Sequence, residues 1–299
     1  MDARKELVDF IQLSRKSQNA IARETGLSAT VISQFLSGSY PGDNEEVANT
    51  INRYLKVAKD RLNSQQTTTF FRELNNTQSV LFACQHAHIE NDIVLVCGDA
   101  GAGKTTALKC YADENTGVIM VTCNSCTRSA TAVLKLILNK LGIQSINRKE
   151  VLMMKLLQRL NNTHYLIILD EADHLSLDAL QAIRNLNDSA GVGIVLSGND
   201  KIYRQMYSGQ RGYEFDQIRT RIIVRKSVMN NYTEDEISGV FDKAPADCVP
   251  FILSIANRES LRTAVKIYNM AVKFAKALKE PLTVSILRNT KDNLIGAEI

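Results

Sequence analysis

The string Gly98-Asp99-Ala100-Gly101-Ala102-Gly103-Lys104-Thr105 constrains this chain more than any other feature. It fits G-x-x-x-x-G-K-[ST], with a strand pattern before it (93–97) and a helical pattern after it (106–112). Glycines let the backbone wrap around phosphates, and the freed N–H groups gather at a helix N-terminus, where negative charge is favoured. Gly98, Asp99, Ala100, Gly101, Ala102, Gly103, Lys104, Thr105 and Thr106 are the expected nucleotide cradle. Lys104 is placed to reach the β- and γ-phosphates, and the Thr105 hydroxyl to ligate Mg²⁺. ATP and Mg²⁺ are therefore the expected ligands.

Such a loop needs a parallel sheet behind it, and the surrounding pattern supplies one. Strand candidates at 93–97, 118–122, 165–169, 192–197 and 222–224 are short, apolar and rich in Val and Ile. That is the texture of strands buried on both faces. Helical segments lie between them, so the expectation is α/β: a five-stranded parallel sheet with crossover helices over 70–227 and a helical lid over 228–299. Residues 1–62 read as a small all-α domain. The polar run Ser64-Gln65-Gln66-Thr67-Thr68-Thr69, with no apolar anchor, reads as a linker over 63–69.

Composition narrows the class. The 299 residues allow about two domains. An apolar share of 44% with 23% charged residues is the mix of a globular protein, and excludes disordered and collagen-like classes. No apolar run reaches the ~18 residues of a membrane span, so no membrane partner is expected. Arg4, Lys5, Glu6 and Asp9 interrupt the N-terminal apolar run, which therefore does not read as a secretory signal. Six scattered cysteines read as a reducing cytoplasm. The net charge of +4 is compatible with nucleic acid and demands nothing.

Four further signals follow the loop. Tyr165-Leu166-Ile167-Ile168-Leu169-Asp170-Glu171 is an apolar strand ending in two carboxylates, at the end of a parallel sheet that lines the ligand crevice. Asp170 would hold Mg²⁺, and Glu171 would polarise the attacking water. Asp170-Glu171-Ala172-Asp173 also spells the DEAD-box helicase signature, but one chain of this length has no room for two recombinase-like domains. Asn199 closes the strand Val195-Leu196-Ser197 and would sit beside the γ-phosphate, or else be an ordinary turn Asn. Arg221 precedes the last strand candidate and can complete a neighbouring subunit's site in trans, with Arg219 as the rival. Arg262, in Ser260-Leu261-Arg262, opens a lid helix and can fold back on the γ-phosphate.

Taken in that order, these motifs resemble an AAA+ ATPase from about residue 70 to the end. The string Ile168-Leu169-Asp170-Glu171-Ala172-Asp173-His174-Leu175, Gly198-Asn199, Tyr203 and the N-terminal module together resemble the phage Mu transposition protein B (MuB) family nearly end to end. The resemblance implies an ATP-dependent protein that forms helical filaments on duplex DNA in the host bacterial cytoplasm. It further implies delivery of target DNA to a phage transposase, stimulation of strand transfer, and a part in target immunity through ATP hydrolysis.

The N-terminal string from Ala20 to Ser33 looks like a phage-repressor helix-turn-helix. Gly26 supplies the turn's positive φ and Ser28 a helix cap. Ile21 and Ala22, then Val31, Ile32 and Phe35, are the inward residues. Ser28, Ala29, Thr30, Ser33 and Gln34 are the expected groove-facing set. They are small and polar and include no Arg, which favours weak or shape-led readout. Nine Lys/Arg against eight Asp/Glu in residues 1–62 make this domain nearly neutral. A protein-docking domain is the alternative.

Two basic features are further DNA candidates, each with a solvated surface as its alternative. Arg148-Lys149 lies in a loop between two helical patterns. The stretch 258–279 reads as one amphipathic helix with Arg258, Arg262, Lys266, Lys273 and Lys276 within an arc of about 80°, and with Ala264, Ile267, Ala271, Phe274 and Leu278 inward. Cys123 and Cys126 lack a second ligand pair and read as ordinary thiols. His86 and His88 fall on different sides of a helix, and His174 would orient the acids before it. Two rivals stand beside a target-delivery ATPase: a replication helicase loader, which would bind a helicase, and a nucleotide-gated phage repressor, which would footprint an operator.

Overall fold

The computed structural model describes residues 3–65, 72–144, 148–207 and 212–295. They fall into two compact units, residues 3–65 with 241–243 and residues 72–240 with 244–295.

The first unit is four helices, Ala3–Ser14, Gln18–Thr25, Ala29–Ser37 and Asn44–Gln65. Leu7, Phe10, Ile21, Ile32, Phe35, Ile51 and Leu55 form its core. Ser17 and Ser28 cap the second and third helices by accepting from Ala20 N and Val31 N. Gly26 ends the second helix at φ 76°, a conformation that costs an L residue about 1–2 kcal/mol. The fourth helix runs on to Gln65, so the expected linker is helical over 63–65. From Asn44 to Gln65 there is no Gly or Pro, and a polar run without them does not stop a helix. Residues 66–69 lie outside the described residues.

The second unit is built on five parallel strands: β1 Ile93–Gly98, β2 Val118–Thr122, β3 Leu166–Asp170, β4 Gly193–Ser197 and β5 Ile222–Val228. Their spatial order is β2-β3-β4-β1-β5. Every residue of β1, β3 and β4 is buried. Alternate residues feed two cores. Ile93, Leu95, Ile167, Leu169, Ile194 and Leu196 pack with helices Ala130–Lys140, Lys149–Leu160 and Leu177–Ala190. Val94, Val96, Leu166, Ile168 and Val195 pack with helices Asn75–Glu90 and Lys104–Glu114. Strand β5 extends four residues past the expected 222–224. As an edge strand it is half-solvated, with Ile222 and Val228 buried and Ile223, Arg225 and Ser227 exposed. Its charged residues therefore hide it from a search for apolar runs.

Helices Glu234–Val240, Val249–Arg258, Leu261–Leu278 and Val284–Ile295 follow β5. The single helix expected over 258–279 is two. Arg258 ends one, and Ser260 caps the next by accepting from Thr263 N. In the second, Leu261, Ala264, Ile267, Tyr268, Ala271 and Ala275 are buried. The inward stripe is thus centred between Ile267 and Tyr268, which leaves Phe274 43% and Leu278 61% exposed.

Candidate nucleotide-binding site

The parallel sheet brings the C-terminal ends of β1, β3 and β4 to one edge, where the glycine loop, Asp170, Glu171 and Asn199 stand. Gly98, Gly101 and Gly103 have φ of 139°, 76° and 95°. At Gly98 a Cβ would lie 1.9 Å from the Val228 carbonyl oxygen, so only glycine lets β1 turn beside β5. Helix Lys104–Glu114 starts at Gly103 without a side-chain cap, which leaves its first N–H groups to an anion. Lys104 Nζ donates to the carbonyls of Gly98 (2.9 Å) and Asp99 (2.7 Å). Burial holds its pKa below the ordinary lysine value, and the nearby charges of Glu171, Asp170 and Asp99 oppose that drop.

Asp170 ends β3 almost wholly buried, and both its oxygens are used. Thr105 Oγ1 donates to Oδ2 at 2.7 Å and Ser197 Oγ to Oδ1 at 3.1 Å. Hydroxyl and carboxylate are hard oxygen donors, the ligand chemistry of Mg²⁺. Uncapped helix, glycine cradle and paired oxygens thus fit a nucleotide with its metal. Glu171 follows in the left-handed region at φ 55° and is exposed. The side chains of Glu171, Asp173 and His174 come within 4.8 Å of one another. Asn199 lies one residue past Gly198 at the end of β4. Its Nδ2 donates to Asp173 Oδ2 at 2.9 Å. An open cavity of about 620 Å³ is lined by Gly98, Asp99, Ala100, Asn199, Asp200, Lys201 and Arg204.

The lid closes over the loop's other side. Arg262 N donates to the Gly101 carbonyl at 3.2 Å, which puts Arg262 beside the phosphate loop. A Cβ at Gly101 would lie 2.8 Å from Ser260 Oγ and 3.1 Å from Arg262 Cβ. Behind the loop, Asp99 N donates to the Val228 carbonyl, Asn230 N to Asp99 Oδ2 at 2.8 Å, and Asn230 Nδ2 to the Ala100 carbonyl at 3.2 Å. Sequence patterns missed Ser197, Asp173 and Asn230 as members of this site. Ser197 and Asp173 sit inside strings already singled out, and a polar residue closing an apolar strand was the available signal.

Two arginines lie elsewhere. Ile222 pairs with Ile93 and Val228 with Gly98, so Arg221 stands at the sheet edge opposite its own phosphate loop. Its Nε lies 3.3 Å from Asp188 Oδ1, and its side chain is 56% exposed. Arg219 pairs with Asp216 at 2.6 Å and lies over the Tyr207 ring.

Of the DNA candidates, Ser28, Ala29, Thr30 and Ser33 are exposed and Gln34 is half-buried, with the Ser28 hydroxyl spent on its cap. Arg148 is exposed just before helix Lys149–Leu160. Lys149 is that helix's first residue rather than a loop residue, and it pairs with Asp178 at 2.5 Å. Arg262, Lys266, Lys273 and Lys276 are exposed on one helix, and Arg258 belongs to the helix before it. Cys123 is buried, with its thiol pushed up to about 12 by that burial, while Cys126 is exposed. His86 meets Asp92 and His88 meets Tyr111. Among the described residues no helix is long and apolar enough to cross a membrane.

Residues 88–206 match the family described as an AAA domain. The chain is 31% identical over 242 residues to the ATP-dependent target DNA activator B of Escherichia phage Mu, covering 81% of this chain and 77% of that protein. It is 30% identical over 232 residues to the Mu-like prophage FluMu DNA transposition protein B of Haemophilus influenzae, covering 77% and 81%. A solved structure of the Drosophila origin recognition complex bound to DNA shares the fold, with a TM-score of 0.54 and 14% identity over 81% of this chain and 66% of that one. The fold, the phosphate loop and these similarities agree, and the chain belongs to the AAA+ ATPase family of the target DNA activator B proteins of Mu-like phages.

Proposed function

We propose that this chain is an ATP-dependent, largely sequence-nonspecific duplex-DNA-binding protein that assembles into filaments, delivers target DNA to a phage transposase and activates it. The observation that carries the ATP-dependent part is the meeting of Thr105 and Asp170 at the mouth of the glycine loop, with Glu171 next in the chain. The target-DNA part is supported by the names of the relatives.

In this reading the backbone N–H groups of the loop and the Lys104 ammonium bind the phosphates. Thr105 and Asp170 hold Mg²⁺, which when bound neutralises charge on the phosphates. Glu171 accepts a proton from the attacking water. Asn199 and Arg262 approach the terminal phosphate from the sheet edge and from the lid. Arg221, far from its own loop, completes the site of a neighbouring subunit. Duplex DNA is held by charge and shape rather than by a base code. The phosphate contacts come from Arg148, Lys149, Lys266 and Lys273, and the groove contacts from Ser28, Ala29, Thr30, Ser33 and Gln34.

Electron microscopy of the chain with duplex DNA and a non-hydrolysable ATP analogue tests the reading. Continuous coating of unrelated duplexes is the expected result. Footprints confined to one sequence would favour a repressor and overturn it.

A further inference from the structure

Asp173 lies on the short 3-10 turn Ala172–His174 that follows the β3 acids, and it is 7% exposed. Both its oxygens face one residue. Asn199 Nδ2 donates to Oδ2 at 2.9 Å, and Asn199 N donates to Oδ1 at 3.2 Å. The Asn199 Oδ1 accepts from Lys201 N at 2.8 Å. An amide side chain has two N–H donors and one acceptor oxygen, so one N–H of Asn199 stays uncommitted among the described residues.

Gly198 shows how closely the two turns are fitted. A Cβ there would lie 2.7 Å from Asp173 Oδ1 and 3.2 Å from Asp173 N. The backbone at Gly198 is not left-handed, so glycine is required here by Asp173 and not by φ. Gly198 N also donates to the Val96 carbonyl at 3.0 Å, which ties the turn to the strand leading into the phosphate loop.

We propose that Asp173 is a positioning residue for ATP hydrolysis, acting through Asn199. Asn199 is exposed at the rim of the cavity beside Gly98 and Ala100. An exposed amide samples several rotamers unless something fixes it. Asp173 takes one N–H and leaves the other for the terminal phosphate of the nucleotide. It also links the turn carrying Glu171 to the turn carrying Asn199, so the residue beside the water and the residue beside the phosphate move together. This inference rests on the ATPase reading and adds a residue to it.

The test is a double-mutant cycle on the full chain. Asp173→Ala is expected to lower kcat about 10- to 100-fold while affinity for a fluorescent ADP stays within about twofold of wild type. Preference for a non-hydrolysable ATP analogue over ADP should fall to the value shown by Asn199→Ala. Asp173→Ala on top of Asn199→Ala should cost nothing further, because the second residue has nothing left to position. Asp173→Asn, which keeps one acceptor, should recover part of the loss. Gly198→Ala, which pushes on the same carboxylate, should behave like Asp173→Ala and add nothing to it. Wild-type turnover from Asp173→Ala, or an equal loss in the Asn199→Ala background, overturns the proposal. A Lys104→Ala control separates the two claims: if it hydrolyses ATP like wild type, the nucleotide site itself is misassigned.

Discussion

Thr105 Oγ1 donates a 2.7 Å hydrogen bond to Asp170 Oδ2 across 65 residues of sequence. The bond joins the start of the helix after the phosphate loop to the end of β3. In the sheet β4 lies between β3 and β1, so the bond spans the C-terminal ends of strands that are not hydrogen-bonded neighbours.

That pair separates two roles that adjacent carboxylates hide. Thr105→Ala should raise the Mg²⁺ concentration needed for half-maximal ATP binding about tenfold, by removing one hard oxygen donor. Glu171→Gln should leave that concentration unchanged and slow turnover by about 100-fold or more, as loss of a general base does. Its complexes with DNA should be long-lived. Titrating Mg²⁺ against a fluorescent ATP and measuring phosphate release distinguishes them. Full turnover by Glu171→Gln would show that another group activates the water.

The lid and the phosphate loop meet at Gly101, whose Cβ would strike Ser260, the cap of the lid helix. Gly101→Ala adds left-handed strain of about 1–2 kcal/mol to that collision. It should lower the melting temperature and weaken ATP binding, whereas Gly142→Ala, with equal positive φ and open space around it, should lower stability alone. Equal ATP affinity in both variants would mean that the lid contact does not shape the pocket.

Arg221 stands opposite its own loop, paired with Asp188 and more than half exposed. Arg221→Ala should therefore lose hydrolysis while binding ATP normally, and wild-type activity per subunit should rise with protein concentration. Mixing Arg221→Ala with Lys104→Ala, each inactive alone, should restore part of the turnover, since some contacts would pair an intact loop with an intact arginine. No recovery at any ratio, with co-assembly confirmed, would exclude Arg221 and turn attention to Arg219.

The N-terminal unit has its own core around Phe10, Ile32 and Ile51, so residues 1–65 should fold alone. The proposed groove-facing set Ala29, Thr30, Ser33 and Gln34 carries no arginine, and the unit's charge is close to balanced. Fluorescence anisotropy should show weak duplex binding at physiological salt, with a shallow salt dependence. Tight, sequence-selective binding by this fragment would support a repressor instead.

What could be read from sequence was local. The glycine loop, the buried strands β1, β3 and β4, and the helix-turn-helix with its Gly26 turn and Ser28 cap all follow from period, turn chemistry and capping. The far half of edge strand β5 is not legible as an apolar run, because Arg225, Lys226 and Ser227 break a pattern that a half-solvated strand does not need. The break at Ser260 is masked in the sequence by a charge arc that continues across it. The pairs Asp170–Ser197 and Asp173–Asn199 join residues 27 and 26 positions apart, and only strand order puts them in contact.

In the proposed function, nucleotide controls the grip on DNA. The most direct measurement is anisotropy of a labelled random-sequence duplex titrated with the full chain and Mg²⁺, under ATP, under ADP and without nucleotide. Wild type should bind at least about tenfold more tightly with ATP than in the other two conditions, a difference of about 1.4 kcal/mol, and Lys104→Ala should bind equally weakly in all three. Equal affinity for DNA across the three conditions in the wild type, with ATP binding confirmed, would contradict the account.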